Sequence, residues 1–267
     1  MSKYTFGFIG CGNMGSALAL AASKIIPTEE LAVCDTDTSK TAALVNDGKA
    51  TLSEVGEIAS QSKYIFLAVK PQGLSALFAQ IRYILQKRSD RFVLVSMAAG
   101  ATIALIREFS GCDCPIIRMM PNTPVSVGEG MILYTPDSFA TAEDVEGFLW
   151  GLSCAGKFDR VPESLMDAGG ALSGCGPAFV YLFAEAMADG GVECGLPRDK
   201  ATLYAAQTLL GAAKMLLDSG KHSAALKDAV CSPGGTTIAG VHALENGGVR
   251  ASVMNAVDAA YTKTMKM

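Results

Sequence analysis

Short, nearly continuous apolar runs open the chain and recur along it. Residues 4–9, 31–34, 64–69, 92–96 and 115–119 read as strands. Runs without polar alternation suit a parallel sheet covered on both faces. Between them, residues 13–24, 39–47, 73–86 and 102–109 place apolar side chains at helical spacing. This βαβα rhythm predicts an α/β, doubly wound sheet. Residues 131–134 and 157–161 add strands around a helix at 142–151.

Beyond residue 161 the strand signal stops. Helical patterns cover 163–171, 177–194, 199–219, 222–229, 237–246 and 248–266, with Gly195, Pro197, Gly247 and Gly248 as punctuation. The pattern therefore predicts two domains, residues 1–161 and an all-α region at 162–267. Residues 178–188 are apolar almost all round. Such a helix belongs in a core or in a subunit interface.

Composition narrows the functional classes. Of 267 residues, 50% are hydrophobic and 18% charged, enough for a packed core. The net charge is −4 and the two signs are balanced along the chain, which makes nucleic acid a poor partner. Mean hydropathy is +0.30. No uninterrupted apolar run reaches the roughly 18–20 residues that span a bilayer, and Lys3 precedes strand-like residues rather than a signal-peptide core. A cytoplasmic protein without a membrane partner is expected. The eight cysteines include no C-x-x-C pair and there are two histidines, so no metal site is expected. The thiols read as small, reduced hydrophobes.

Gly10-Cys11-Gly12-Asn13-Met14-Gly15 is a G-x-G-x-x-G between a strand ending at Ile9 and a helix. That context makes it a dinucleotide cradle, with glycines for the turn, the approach of the pyrophosphate and helix packing. Asp35 follows Gly15 by 20 residues, where a carboxylate binds ribose hydroxyls. Its charge favours NADH, while Thr36, Ser39 and Lys40 would bind a 2′-phosphate if Asp35 turned away. Ala68, Val69, Lys70 and Pro71, then Ala99, then Asn122 follow the next strands, at the edge where open sheets bind ligands.

Ser232-Pro233-Gly234-Gly235-Thr236-Thr237 is a glycine loop running into a helix. Amides of Gly235, Thr236 and Thr237 would face an anion there. The loop is short and lacks lysine, which suits a carboxylate better than a triphosphate.

Taken together, these motifs resemble the pyrroline-5-carboxylate reductase family over essentially the whole chain. The resemblance rests on residues 8–15, Leu67-Ala68-Val69-Lys70-Pro71, Met120-Pro121-Asn122-Thr123-Pro124, residues 172–179 and, most specifically, residues 226–237. It implies an N-terminal Rossmann domain and an all-α dimerisation domain, and reduction of 1-pyrroline-5-carboxylate to L-proline, the last step of proline biosynthesis. The implied cofactor is NADPH or NADH. The implied assembly is a homodimer, in some members five dimers in a decamer. Many members carry asparagine near Val55 and a neutral residue at Asp35; both departures concern cofactor grip.

The chemistry suits this residue set. A cyclic imine arrives protonated and already electrophilic, so hydride transfer needs mainly positioning. Thr237 is the candidate partner for the ring nitrogen. Ser232, Gly234, Gly235, Thr236 and Thr237 are the candidate carboxylate clamp. His242 is five positions past Thr237, about 140° around the helix, and reads as structural. A β-hydroxyacid dehydrogenase would need lysine where Val180 stands and asparagines at Phe183 and Ala184. A non-catalytic NAD(P) sensor would not need the second anion loop.

Overall fold

The computed structural model describes residues 2–266. They divide into two compact units: residues 2–175 with 260–266, and Gly176–Ala259.

The first unit contains, in order, β1 (Tyr4–Ile9), α1 (Asn13–Ala22), β2 (Leu31–Cys34), α2 (Ser39–Asn46), β3 (Thr51–Leu52), α3 (Val55–Gln61), β4 (Ser62–Leu67), α4 (Leu74–Gln86), β5 (Val93–Ser96) and α5 (Ile103–Ser110). β6 (Ile116–Met120), β7 (Gly130–Pro136), α6 (Ala142–Gly151), β8 (Gly156–Arg160) and α7 (Met166–Ser173) complete it. The sheet order is β3-β2-β1-β4-β5-β6-β7-β8. The chain reverses direction once within the sheet: β7 runs antiparallel to β6, because the connection between them is too short for the dozen or so residues a parallel crossover needs. β3 and α3 are absent from the sequence reading. A two-residue strand has no periodicity, and α3 buries only Ile58 and Ala59.

Alternating side chains feed cores on both faces of the sheet. Tyr64 and Phe66 join Phe6, Phe8 and Phe148 on one side. Ile65 and Leu67 join Leu77, Phe78 and Ile81 on the other. Phe8 and Phe66 stack with centroids 4.2 Å apart. Each such buried side chain contributes roughly 1.5–3 kcal/mol.

The expected boundary at residue 161 precedes a segment that packs on this sheet. Arg118 of β6 is 1% exposed. It donates to Glu163 at 3.2 Å and to Asp167 at 2.7 Å, and Met166 is fully buried. Ion pairing thus holds residues 163–175 to the first unit, although their pattern is helical like the residues that follow.

The second unit is helical: α8 (Gly176–Glu193), α9 (Arg198–Ser219), α10 (Ser223–Val230), α11 (Thr236–Asn246) and α12 (Val249–Thr264) as far as Ala259. α8 and α9 meet through Ala188, Ala201 and Ala205. Gly195 has φ +94°, open to glycine, and Pro197 caps α9. A place for α8 in this chain's own core is corrected by the structure. Only Ala188 of α8 is buried, and Val180, Tyr181, Leu182, Phe183 and Met187 are exposed. The expectation about bilayer length also needs correction. Glu163–Glu193 has the length and composition to cross a membrane, with mean hydropathy 1.3 over an 18-residue window that is 11% buried. Uninterrupted runs miss it, because alanines, leucines and phenylalanines carry the mean past glycines, a proline and an occasional charge.

Candidate functional site

Parallel pairing brings the ends of β1, β2, β4, β5 and β6 to one edge of the sheet. Ile9, Gly10, Gly12, Asn13, Met14, Gly15, Asp35, Ala68, Val69, Lys70, Pro71, Ala99 and Asn122 therefore gather on that edge. Gly10 has φ +101°, and a Cβ there would lie 2.6 Å from the Ala68 carbonyl oxygen. Its N–H donates to Cys34 O at 2.8 Å, while Ala68 N–H donates to Ile9 O at 2.9 Å. A Cβ on Gly15 would strike Gly10 O, whereas one on Gly12 would meet nothing within 4 Å. The first and third glycines thus serve packing, and the second leaves open space over the loop. Gly12 is the N-cap of α1, and no side chain caps that helix. Its first-turn amides and dipole are available to an anion.

Asp35 is a fixed part of this loop. Its carboxylate accepts from Cys11 N–H at 2.7 Å and from Asp37 N–H at 2.9 Å. Lys40 lies 3.6 Å away. Burial pushes the Asp35 carboxyl up, but the Asp37 and Cys11 amides and the Lys40 ammonium outweigh it and hold the group below its usual range. Burial raises the thiols of Cys11 to about 12 and Cys34 to about 11, so both stay protonated.

Lys70 is exposed and its backbone caps the short turn Pro71–Gly73. Ala99 is half-buried. Asn122, 8% exposed, spends its side chain internally: Nδ2 donates to Ser173 O at 3.0 Å and Oδ1 accepts from Met131 N–H at 2.9 Å. It ties the loop after β6 to β7 and to the end of α7.

The other candidate residues lie in the second unit. Gly234 has φ +67°, and Gly235 is the N-cap of α11 without a side-chain cap. Gly235 N–H donates to Ser232 O at 3.0 Å. That bond removes the Gly235 amide from the expected clamp and leaves the amides of Thr236, Thr237 and Ile238 at the helix start. A Cβ on Gly235 would strike Ser232 Oγ. Ser232, Gly234, Thr236 and Thr237 are exposed. His242 faces Asn246 one turn on, Nε2 to Nδ2 3.0 Å.

The sequence reading missed the Arg118–Glu163–Asp167 cluster, in which Glu163 also accepts from Ile103 N–H at 2.7 Å at the start of α5. Its signal was an arginine inside an otherwise apolar strand.

Two family models and full-length relatives match the chain. A family model described as pyrroline-5-carboxylate reductase dimerisation matches residues 163–267. One described as NADP oxidoreductase, coenzyme F420-dependent, matches residues 5–100. Pyrroline-5-carboxylate reductase of Pisum sativum is 41% identical, with 99% of this chain and 96% of that protein covered. The Escherichia coli K12 enzyme is 40% identical, with 98% and 97% covered. Among solved structures, the NADP-bound pyrroline carboxylate reductase of Plasmodium falciparum is 33% identical with TM-score 0.85, covering 99% of this chain and 98% of that one. The Coxiella burnetii pyrroline-5-carboxylate reductase is 27% identical with TM-score 0.89 and the same coverage.

Proposed function

Because this chain belongs to the pyrroline-5-carboxylate reductase family, we propose that it reduces 1-pyrroline-5-carboxylate to L-proline with NADPH or NADH. The observation that carries this reading is the uncapped start of α11, whose amides could take an anion beside the hydroxyls of Thr236 and Thr237, in a chain that also has an uncapped glycine loop before α1.

The cradle fits a dinucleotide: open space over Gly12, a free helix start and an anchored carboxylate at Asp35. Gly10, Gly12, Asn13, Met14 and Gly15 would hold the pyrophosphate, and Asp35 the adenosine ribose. Ile9, Ala68, Val69, Lys70, Pro71, Ala99 and the Asn122 backbone would line the ribose and nicotinamide side. The bound nicotinamide supplies a hydride. Amides of Thr236, Thr237 and Ile238, with Ser232, would hold the substrate carboxylate. The Thr237 hydroxyl would accept a hydrogen bond from the protonated ring nitrogen and fix the imine carbon's orientation. No acid–base residue has to protonate the substrate, because the imine arrives charged.

The test follows near-ultraviolet absorbance of the reduced nicotinamide. It should fall on addition of 1-pyrroline-5-carboxylate, and L-proline should accumulate in equal amount. No fall with either cofactor would overturn the reading.

The first unit would serve cofactor binding and the second, Gly176–Ala259, substrate binding and dimerisation. The exposed apolar side chains of α8 favour a homodimer, or a homodecamer of five dimers, over a bilayer contact, since Glu185 and Asp189 are exposed on the same helix. Eight free cysteines suit a cytoplasmic location.

A further inference from the structure

Two cysteines meet at the opposite end of the sheet from the cofactor edge, in the turn between α5 and β6. The sulfurs of Cys112 and Cys114 are 3.3 Å apart. Arg107, in the last turn of α5, holds the turn from behind. Its Nη1 donates to Cys112 O and its Nη2 to Cys114 O, both at 3.0 Å. Asp137 in turn pairs with Arg107, and Gln86 Nε2 donates to Gly111 O at 3.0 Å. The backbone is therefore pinned at both cysteines with the two side chains on one side. The turn lines an open cleft with Gln86, Arg88 and Asp90. Cys112 is half-buried and Cys114 is 6% exposed.

We propose that Cys112 and Cys114 form a thiol–disulfide exchange site that reacts with low-molecular-weight disulfides and closes reversibly into an intramolecular disulfide. Nothing in the reductase chemistry uses this pair. The Cys114 thiol lies against the Cys112 sulfur and, by donating to it once Cys112 has ionised, favours the Cys112 thiolate. Burial opposes that, while Ser110 and the Arg107 charge assist it, and the Cys112 thiol is lowered overall. The same contact and burial push Cys114 up. Cys112, the more exposed of the two, is the attacking sulfur.

The Cys112 thiolate attacks one sulfur of the small disulfide, forming a mixed disulfide and releasing one small thiolate. Cys114 then loses its proton and attacks Cys112 Sγ, forming the protein disulfide and releasing the second small thiol. The protein dithiol loses two electrons and two protons, and the small disulfide becomes two thiols. A dithiol closing so small a loop gives a labile disulfide, which a thiol pool reopens.

The test uses the folded full-length protein and oxidised glutathione. After exposure, free thiols are blocked with iodoacetamide and the protein is digested with trypsin. Cleavage after Arg107 and Arg118 releases peptide 108–118, which holds both cysteines and no other. Most of it should appear two hydrogens lighter and unalkylated, and dithiothreitol should restore two alkylation sites. Cys114→Ser should trap one glutathione on Cys112. Cys112→Ser should leave residue 114 free of glutathione. The exposed Cys175 and Cys194 report that the oxidant has acted. The proposal is overturned if, with those two modified, peptide 108–118 of the unaltered protein is still alkylated twice or carries glutathione without closing. Glutathione on Cys114 in the Cys112→Ser protein would overturn the assignment of the attacking sulfur. The unaltered protein decides the main question even if a variant folds poorly.

Discussion

The carboxylate of Asp35 accepts a 2.7 Å hydrogen bond from the backbone N–H of Cys11, so the residue that would read the ribose also holds the glycine loop. A cofactor-specificity change at this position carries a structural cost.

Asp35→Ser should raise the ratio of NADPH to NADH kcat/KM on the order of tenfold, since removing about 1.4 kcal/mol of repulsion is a factor of ten. It should also weaken both cofactors, because Cys11 and Asp37 lose their acceptor. Asp35→Asn retains an acceptor and should shift the ratio with less loss of affinity. Side-by-side kinetics with both cofactors check this. An unmoved ratio would place Asp35 away from the ribose.

Thr237→Ala removes one hydroxyl and leaves the α11 amides in place. A hydrogen bond to a charged group is worth roughly 1.5–3 kcal/mol, so kcat/KM for the imine should fall on the order of 10- to 100-fold. Thr237→Ser should keep most activity, and cofactor affinity should hardly change in either. Gly235→Val should be worse, because its Cβ strikes Ser232 Oγ and distorts the turn that starts the helix. Initial rates and cofactor titration separate the two effects; an equal loss of cofactor binding would put the loop at another site.

Val180→Glu places a charge on the exposed apolar side of α8, where Val180 is 50% exposed in the single chain. The variant should dissociate or lose solubility, while the unaltered chain runs as an oligomer in light scattering. A stable, active monomer of the unaltered chain would remove the interface.

Acid should weaken the first unit through Asp144. Burial raises its carboxyl, but the Arg91 guanidinium and the Thr141 amide and hydroxyl outweigh it, so the folded pKa lies below the unfolded one. The resulting stability is present above about pH 4 and is lost as pH falls through the lower folded pKa. Asp144→Asn should flatten that limb of the urea midpoint against pH. It should also cost about 1–2 kcal/mol at neutral pH, because the charge-assisted bonds from Arg91 are weakened while the amide oxygen can still accept from Thr141 N–H. An unchanged acid limb would assign the acid sensitivity to other carboxylates.

Much of the candidate site was legible because backbone requirements leave a residue signature. Gly10 needs positive φ and Gly15 needs contact with Gly10 O, and only glycine supplies both. The roles of Asn122 and Gly235 were not legible. The spacing puts Asn122 at the cofactor edge, yet its amide is satisfied by Ser173 and Met131, which are 51 and 9 positions away. The glycine loop offers the Gly235 amide to the substrate, yet that amide closes a local turn on Ser232. A side chain's donors and acceptors are shared out only after distant backbone arrives.

The sequence by itself determined the alternation of strands and helices, the helical second half and the placement of both glycine loops at helix starts. Those are local consequences of apolar period and backbone freedom. Only the tertiary structure decided that residues 163–175 pack on the sheet through Arg118 and that β7 reverses direction. It alone showed that α8 leaves its apolar side chains exposed in the single chain. Each depends on which groups meet across long separations, because buried charges need partners and apolar faces need cover that neighbours in sequence cannot provide.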